Sequence, residues 1–169
     1  MNTLDNEKFR VAILTLSDQG SAGKREDKSG PAIMELLDPM LYEVADYQVI
    51  PDERTLIEQT LIDLCDEKIA DLVLTTGGTG FSMRDCTPEA TLAVAHRLAP
   101  GISEAMRAYS MQFTNRAMLS RGVSVIRGAT LIINLPGSPK AVKESLECIL
   151  PALSHGLEIL RGSAGECAR

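Results

Sequence analysis

The sequence predicts an α/β protein, a three-layer α/β/α sandwich around a mostly parallel sheet. Short apolar runs rich in β-branched residues alternate with segments whose apolar residues recur at helical spacing. The central runs are almost continuously apolar, as in parallel strands that are covered on both faces. Three predicted helices also have a proline at or near their first position, which is typical of helix starts.

The predicted strands differ in their patterns. Phe9–Leu16 is a long apolar run, Tyr42–Ile50 alternates polar and apolar residues, and Asp71–Thr76 is short and mostly apolar. Val123–Arg127 and Ala129–Leu135 are two further β-rich runs that can pair around a glycine turn. Strands spaced in this way, with helices between them, indicate a largely parallel sheet.

The predicted helices are defined by apolar spacing and by start signals. Apolar residues recur three and four positions apart in Glu53–Lys68. Pro31 and Pro88 suit the first position of a helix, and Thr87 suits the cap before Pro88. The remaining predicted helices are Ile102–Phe113, Pro139 to about Ile149, and Pro151–Leu160.

The composition is that of one globular domain and excludes several classes of protein. The chain has 169 residues, 44% hydrophobic and 24% charged, so we predict one domain over residues 9–162 with tails at residues 1–8 and 163–169. The net charge of −6, with 3 Phe, 3 Tyr and no Trp, argues against nucleic-acid binding. No apolar run is long enough to span a bilayer, which argues against a membrane protein.

Cysteine and histidine usage predicts reduced thiols and argues against structural zinc. The four cysteines, Cys65, Cys86, Cys148 and Cys167, are widely spaced, and neither of the two histidines lies close to two of them in sequence. The N-terminus is polar and has no apolar signal core. We therefore predict a cytoplasmic location.

Three loops form the candidate ligand site. Each loop follows a predicted strand and precedes a helix that has a proline at or near its first position. These helix starts are Ser29-Gly30-Pro31, Thr87-Pro88 and Ser138-Pro139. In a doubly wound sheet such loops meet at the carboxyl ends of the strands, where ligands bind. The free N–H groups of the helix starts favour a phosphate-bearing ligand, although each pair is also an ordinary helix start.

The most distinctive local feature is the glycine loop, Thr75-Thr76-Gly77-Gly78-Thr79-Gly80, directly after the third predicted strand. Glycines there allow a sharp turn and the close approach of a ligand. The loop is neither a P-loop nor a dinucleotide fingerprint. Taken alone, it is equally compatible with a plain turn.

Two aspartates are candidate catalytic and metal-binding residues. Asp85 follows the glycine loop and could bind a metal or a substrate N–H, or it could be an ordinary loop carboxylate near a helix start. Asp52 follows the second strand, where an aspartate is also a preferred helix cap. Two carboxylates facing phosphates make chemical sense mainly with Mg²⁺ between them.

Cations and methionines have less specific patterns. Four basic residues have two interpretations: Lys24, Arg25 and Lys28 in the first loop, and Lys140 at the start of a late helix. They either form a solvated face or neutralise the charge of a triphosphate. The three methionines of the later helical region are predicted to fill the core: Met106, Met111 and Met118.

Several of these motifs together resemble one known family. The glycine loop is followed by Arg84-Asp85-Cys86-Thr87-Pro88-Glu89-Ala90, a combination similar to that of the molybdenum-cofactor proteins of the MogA/MoaB type. Two further stretches resemble the MogA branch: Ser17-Asp18 to Ser29-Gly30-Pro31, and Ala117–Arg121 through Ile126–Gly128 to Leu135–Val142. The resemblance covers roughly residues 9 to 161.

The resemblance implies molybdopterin adenylyltransferase activity. In that reaction the pterin phosphate attacks the α-phosphate of Mg-ATP, giving adenylylated molybdopterin and pyrophosphate. The implied cofactor is Mg²⁺, with ATP and molybdopterin as substrates. The family fold is a three-layer sandwich and usually a homotrimer, and the product is ready for molybdate insertion, which suggests hand-over to a molybdate-insertion protein.

The resemblance also suggests roles for particular residues. The catalytic and metal-binding pair is Asp52 and Asp85. The predicted molybdopterin contacts are Thr76, Gly77, Gly78, Thr79, Gly80, Arg84, Thr87, Pro136, Gly137, Ser138 and Lys140. The predicted nucleotide contacts are Ser17, Asp18, Ser29 and Gly30.

Two other functions remain compatible with the same motifs. One is a pterin-binding protein without catalysis, and the other is a structural scaffold. The presence of both Asp52 and Asp85 favours catalysis, because a protein that only binds the pterin would not need the pair.

Overall fold

The computed structural model describes residues 7–162, so the predicted tail at residues 163–169 and most of that at residues 1–8 lie outside it. Its sheet has six strands in the order β2-β1-β3-β6-β5-β4. They are β1 (Phe9–Leu16), β2 (Tyr42–Ile50), β3 (Leu72–Thr76), β4 (Arg97–Leu98), β5 (Ser124–Arg127) and β6 (Thr130–Leu135). Strands β1, β2, β3 and β6 run parallel, whereas β5 is antiparallel to β4 and β6. The predicted mostly parallel α/β sheet is therefore confirmed.

Helices cover both faces of this sheet. They are α1 (Asp18–Ser21), α2 (Ser29–Leu36), α3 (Arg54–Asp66), α4 (Thr87–Val94), α5 (Pro100–Ser110) and α6 (Pro139–Arg161), with a 3₁₀ helix at Asn115–Leu119. Within residues 7–162, none of these helices has the length and apolar character needed to cross a membrane.

The core has two halves because alternate strand residues point to opposite faces of the sheet. In β1, Val11 and Ile13 pack with α2, α5 and α6, whereas Ala12 and Leu14 pack with α3 and α4. This alternation explains the continuously apolar strands that the sequence shows, because neither face of the central strands meets solvent.

The C-terminal region is one helix, whereas the sequence predicts two, ending near Ile149 and restarting at Pro151. Helix α6 runs through Pro151 without a break. Its buried residues continue at helical spacing on both sides of the proline, as in Ile149, Leu153 and Leu157. Pro151 itself is exposed, so it loses one backbone hydrogen bond without disturbing the packed face.

The structure differs from the prediction in several smaller ways. The short helix α1, the 3₁₀ helix and the edge strand β4 are not predicted from the sequence. Helix α2 begins at Ser29 rather than Pro31. Thr87 is the first residue of α4 and not its cap. Of the three methionines predicted in the core, Met106 is buried, but Met111 and Met118 are exposed.

A buried ion-pair cluster joins three elements at the amino end of β3. Asp71 accepts hydrogen bonds from the backbone and side chain of Arg10 in β1 and from the guanidinium of Arg161 at the end of α6. Arg161 also lies over the ring of Phe9, 4.4 Å from its centroid. The polar loops lie at the opposite, carboxyl edge of the sheet.

Candidate active site

The polar loops at the carboxyl ends of β1, β2, β3 and β6 enclose a cleft of about 690 Å³. Predicted site residues from all three loops line it, which confirms that they lie together in space. They are Ser17, Ser29, Asp52, Thr76, Gly77, Gly78, Asp85, Gly137 and Ser138. Ligands of open α/β sheets bind at this edge.

Asp52 lies in this cleft with its two carboxylate oxygens in different surroundings. Asp52 Oδ2 accepts a hydrogen bond from the backbone N–H of Asp18 at 3.1 Å, and the N–H of Asp52 donates to Asp18 Oδ1 at 3.1 Å. Asp52 Oδ1 is buried and has no hydrogen-bond partner within the described residues. Burial, with the charges of Asp18 and Asp85, raises the pKa of Asp52 above its usual value.

The alternative interpretation of Asp52 as a helix cap does not agree with this geometry. Glu53 occupies the N-cap position of α3, and no side chain there caps the helix. Asp52 instead joins the β2–α3 loop to Asp18, the first residue of α1. Its free oxygen is therefore available to a ligand.

Asp85 lies beside the glycine loop and faces the same cleft. Its Oδ2 accepts a hydrogen bond from the N–H of Ser82 at 3.0 Å. A Cβ at Gly80 would lie 2.9 Å from this oxygen, so the glycine permits the close approach. Asp52 and Asp85 are near enough for the charge of Asp85 to raise the pKa of Asp52.

Arg84 is predicted to contact substrate, but in the structure it makes ion pairs at the rim. Its guanidinium donates to Asp18 Oδ1 at 2.9 Å, to Asp18 Oδ2 at 3.0 Å and to Glu53 Oε1 at 2.9 Å. The hydrogen bonds that Arg84 donates to Asp18 lower the pKa of Asp18. Arg84 thus orients the residue that in turn orients Asp52.

The glycine loop has a shape that only glycine allows at two positions. Gly77 and Gly78 have φ values of +98° and +65°. A Cβ at Gly77 would collide with the carbonyl oxygen of Leu16, and one at Gly78 with the hydroxyl of Thr87. The Thr87 hydroxyl donates to the carbonyl of Gly77 at 3.0 Å. Thr87 therefore supports the loop from behind and does not line the cleft.

The first and last loops are joined across the cleft. Ser29 Oγ donates to the carbonyl of Gly137 at 2.7 Å, and Thr76 Oγ1 donates to the carbonyl of Pro136 at 2.6 Å. Both hydroxyls are buried, so these contacts fix the position of the loop that contains Ser138.

At all three helix starts that the sequence offers to phosphate, the chain itself occupies backbone N–H groups. At α4, the N–H of Thr87 donates to the carbonyl of Gly78 at 3.2 Å. The N–H groups of Ser29 and Gly30 donate to the carboxylate of Asp27, and the Ala141 N–H donates to Ser138 Oγ. The prediction of three free helix N-termini is therefore wrong for α2 and in part for α4 and α6.

Asp27 is a site residue that the sequence analysis missed. Besides the two backbone N–H groups, it accepts hydrogen bonds from Thr15 Oγ1 at 2.7 Å and from the Tyr47 hydroxyl at 2.6 Å. Burial alone would raise the pKa of Asp27, but these bonds lower it, while the pKa of Tyr47 rises to about 12. An acidic residue two positions before Ser29 is a signal for such a turn.

The predicted cations divide into two groups. Arg25 and Lys28 line the cleft, whereas Lys24 and Lys140 are exposed and do not line it. Arg121, which was not a candidate, donates to the carbonyls of Gly80 and Asp85 and so supports the glycine loop.

The remaining predicted contacts lie outside the cleft. Asp18 accepts hydrogen bonds from Arg84, and the N–H of Gly30 donates to Asp27. Thr79, Gly80 and Pro136 line a second, mostly apolar cavity of about 290 Å³ on the other side of the glycine loop.

Fold and site together define a class: an α/β protein with a polar ligand cleft and two aspartates at the carboxyl edge of a parallel sheet. Residues 12–155 match the family model described as "Probable molybdopterin binding domain". The chain belongs to this family, which confirms the resemblance to the MogA/MoaB type.

Named relatives agree with this assignment. The molybdopterin adenylyltransferase of Escherichia coli (strain K12) is 50% identical over 164 residues, covering 93% of this chain and 81% of the relative. That of Helicobacter pylori (strain J99) is 44% identical over 159 residues, covering 93% of this chain and 90% of the relative. Among solved structures, the molybdopterin biosynthesis enzyme MoaB from Thermus thermophilus has a TM-score of 0.86 at 49% identity, covering 91% of this chain and 97% of that one.

Proposed function

We propose that this chain transfers the adenylyl group of ATP to the terminal phosphate of molybdopterin. The observation that carries the proposal is the unpartnered, buried Oδ1 of Asp52 in a cleft that Asp85 also lines. The relatives named molybdopterin adenylyltransferase support it at up to 50% identity over most of the chain.

The reaction needs alignment and charge neutralisation rather than a protein nucleophile. A phosphate oxygen of molybdopterin attacks the α-phosphorus of ATP. The bond from that phosphorus to the oxygen bridging the α- and β-phosphates breaks, and pyrophosphate leaves with the bonding electrons. Arg25 and Lys28 on the cleft wall supply positive charge for the phosphates.

Mg²⁺ fits the residues at the base of this cleft. Asp52 and Asp85 offer carboxylate oxygens, the ligands that Mg²⁺ prefers, and substrate phosphates and water usually complete its shell. No cluster of three or more His, Cys, Asp or Glu side chains that could hold a metal occurs in residues 7–162. We therefore propose Asp52 and Asp85 as ligands of a Mg²⁺ ion that, when bound, neutralises phosphate charge.

The glycine loop is the part of the site that we assign to the pterin phosphate. Its backbone carries no side chain at Gly77 and Gly78, so a phosphate can approach closely. Ser138 lies opposite, on a loop fixed by Ser29 and Thr76. We assign the first loop, with Ser17 and Ser29, to the nucleotide.

Three further features belong to the proposal. A homotrimer is supported by exposed apolar residues that follow α5, among them Phe113 and Met118. A cytoplasmic location is supported by the free thiols of the three described cysteines. Hand-over of the product to a molybdate-insertion protein rests on the family resemblance.

The test is a coupled assay of pyrophosphate release. The purified protein, with Mg²⁺ and ATP, is expected to release pyrophosphate only when molybdopterin is added. Binding of molybdopterin without pyrophosphate release would instead indicate a protein that only binds the pterin. Release that does not depend on molybdopterin would contradict the proposed acceptor.

A further inference from the structure

Residues 80–85 lie between β3 and α4 and bring Asp85 to the cleft. Within this segment, the N–H of Ser82 donates to Asp85 Oδ2 at 3.0 Å, and the N–H of Asp85 donates to the carbonyl of Ser82 at 3.0 Å. Phe81 and Met83 are 71% and 100% exposed, so packing does not hold the middle of the segment. The position of Asp85 therefore depends on polar contacts.

One guanidinium holds both ends of this segment. Arg121 Nε donates to the carbonyl of Gly80 at 2.7 Å, and Arg121 Nη2 donates to the carbonyl of Asp85 at 2.9 Å. Arg121 Nη1 donates to the carboxylate of Glu89, in the first turn of α4. The backbone N–H of Arg121 also donates to the carbonyl of Thr79 at 2.9 Å. Arg121 thus joins the glycine loop, the residue Asp85 and helix α4.

The ion pairs of Arg84 with Asp18 and Glu53 are a second attachment of the same segment, but they are more exposed to water. The side chain of Arg84 is 54% exposed, whereas that of Arg121 is 32% exposed. Exposed ion pairs contribute little because water and salt screen them. Arg121 is therefore the main support of Asp85.

We propose that Arg121 is a positioning residue of the adenylyl transfer, which places Asp85 for metal binding through the backbone of residues 80–85. The inference rests on the proposed function, in which Asp85 is a ligand of Mg²⁺. Arg121 does not line the cleft, so it acts through Asp85 and not on the substrates. Replacing a residue that orients a metal ligand typically costs about 10–100-fold in metal affinity or activity.

The shape of the arginine side chain is what this role requires. A guanidinium is planar and has donors in fixed directions on three nitrogen atoms, so it can bond two carbonyls and a carboxylate at once. A lysine ammonium has all its donors on one nitrogen and cannot span the same three partners. Arg121→Lys therefore keeps the charge and removes the contacts that hold the segment.

The first test measures the segment itself and does not depend on activity. Hydrogen exchange of the folded full-length protein is followed by mass spectrometry in peptides that cover residues 80–85. In Arg121→Lys, the amides of Ser82 and Asp85 are expected to exchange about tenfold faster than in the wild type, because the turn that they close is released at both ends.

Arg127→Lys is the matched control. Arg127 likewise donates to a carbonyl, that of Val94 at 2.9 Å, and to a carboxylate, that of Asp66 at 2.7 Å. None of these three residues lines the cleft. Arg127→Lys should therefore leave the exchange of residues 80–85 unchanged.

The second test measures metal affinity. Binding of Mn²⁺, as a probe for the Mg²⁺ site, is followed by electron paramagnetic resonance in the presence of a non-hydrolysable ATP analogue. Arg121→Lys is expected to weaken this binding, and to raise the Mg²⁺ concentration for half-maximal pyrophosphate release, by about 10–100-fold. A merely structural role would lower the melting temperature and leave the metal affinity of the folded protein unaltered. Arg127→Lys should not change either value.

Glu89→Ala is a second, milder variant. It leaves the bonds from Arg121 to Gly80 and Asp85 possible and removes only the carboxylate that holds the guanidinium at Nη1. It should shift exchange and Mn²⁺ affinity in the same direction as Arg121→Lys, but by a smaller factor.

The outcomes separate the two proposals. Unchanged exchange of residues 80–85 or unchanged Mn²⁺ affinity in folded Arg121→Lys would overturn the role of Arg121, as would equal shifts in Arg127→Lys. If the wild-type protein binds Mn²⁺ but releases no pyrophosphate, the transferase proposal is overturned. Faster exchange and weaker Mn²⁺ binding in Arg121→Lys would then still support the positioning of Asp85 by Arg121.

Discussion

At the scale of residues, the two carboxylate oxygens of Asp52 have different roles, one structural and one available for chemistry. Its Oδ2 accepts from the backbone of Asp18, while its buried Oδ1 is unpartnered. Because burial raises its pKa, ionisation of Asp52 is less favourable in the folded protein than in the unfolded chain. The charge is therefore retained at a cost in stability around neutral pH.

Asp52→Asn should accordingly keep the fold and lose turnover. The amide oxygen can still accept from Asp18, and removal of the charge relieves the cost of burial, so the melting temperature at pH 7 should equal or exceed that of the wild type. Molybdopterin binding should remain, and adenylyl transfer should become very slow, because a neutral amide is a poor ligand for Mg²⁺. Calorimetry and the pyrophosphate assay check this, with exposed Asp63→Asn as control. Full activity would remove Asp52 from the mechanism.

Asp85→Asn tests the second carboxylate. An asparagine oxygen can accept from the N–H of Ser82 as Asp85 does, so the glycine loop should keep its shape. We expect near-normal thermal stability and a strong loss of pyrophosphate release. Near-normal turnover would show that Asp85 takes no part in the reaction.

At the scale of elements, the Asp71 cluster joins β1, β3 and α6. Burial alone would raise the pKa of Asp71, but hydrogen bonds from Arg10 and Arg161 outweigh this and lower it to about 2. Because the folded pKa lies below the unfolded value, the stabilisation is complete above the unfolded pKa of about 3.9 and is lost as the pH falls towards 2.

Asp71→Asn should therefore destabilise the protein in a pH-dependent way. A pKa lowered from 3.8 to about 2 corresponds to about 2 kcal/mol of unfolding free energy at neutral pH. Urea unfolding at pH 7 should show this loss, and the difference from wild type should shrink between pH 4 and pH 2. Asp66→Asn removes an exposed pair with Arg127 and should have a much smaller effect. A difference that does not change with pH would contradict the assigned role.

The long helix α6 contains a removable defect. Pro151 is exposed inside the helix, where proline is less favourable than alanine by up to about 3 kcal/mol. Pro151→Ala should restore a backbone hydrogen bond and raise the melting temperature without changing activity. A lower melting temperature would mean that the helix depends on the proline.

Pro151 also shows why the sequence predicts the elements better than their ends. The strands follow from apolar runs that bury both faces, and this property is visible locally. Whether a proline ends a helix depends on the packing of Leu153 and Leu157 against residues far away in sequence. The partners of Arg84 are Asp18 at the start of α1 and Glu53 before α3, and they too are determined only by the tertiary fold.

The candidate site was predictable where one motif determines it. The glycine loop and the two aspartates follow strand ends, and parallel strands bring their carboxyl ends to one edge. Asp27 was not found, because an acidic residue in a loop is usually solvated. Its hydrogen-bond partners Thr15 and Tyr47 become visible only when β1 and β2 are in place.

At the scale of the whole molecule, the exposed side chains after α5 suggest contact with further copies of the chain. Met111, Phe113, Met118 and Leu119 are each at least 41% exposed, although the sequence places the two methionines in the core. Such an apolar group is a common site of protein association.

Light scattering at micromolar concentration should give about three times the chain mass of 18.3 kDa. Met118→Lys should reduce that mass, because a charge at an apolar interface must be desolvated. Met40→Lys, which places the same charge at an exposed position in another region, should not. A monomeric wild-type protein would refute the trimer.

The hydrogen bond from Ser29 to Gly137 spans 108 positions of the sequence. The cleft therefore has both of its walls only after β6 and the loop that follows it have been synthesised. An N-terminal portion that ends before Gly137 lacks one wall of the cleft. A ligand bound in the cleft can therefore stabilise only a fold that includes β6 and the loop after it. Substrate should consequently slow hydrogen exchange of the deepest amides of β1 and β3, which open only in global unfolding, and not merely that of the loops it touches.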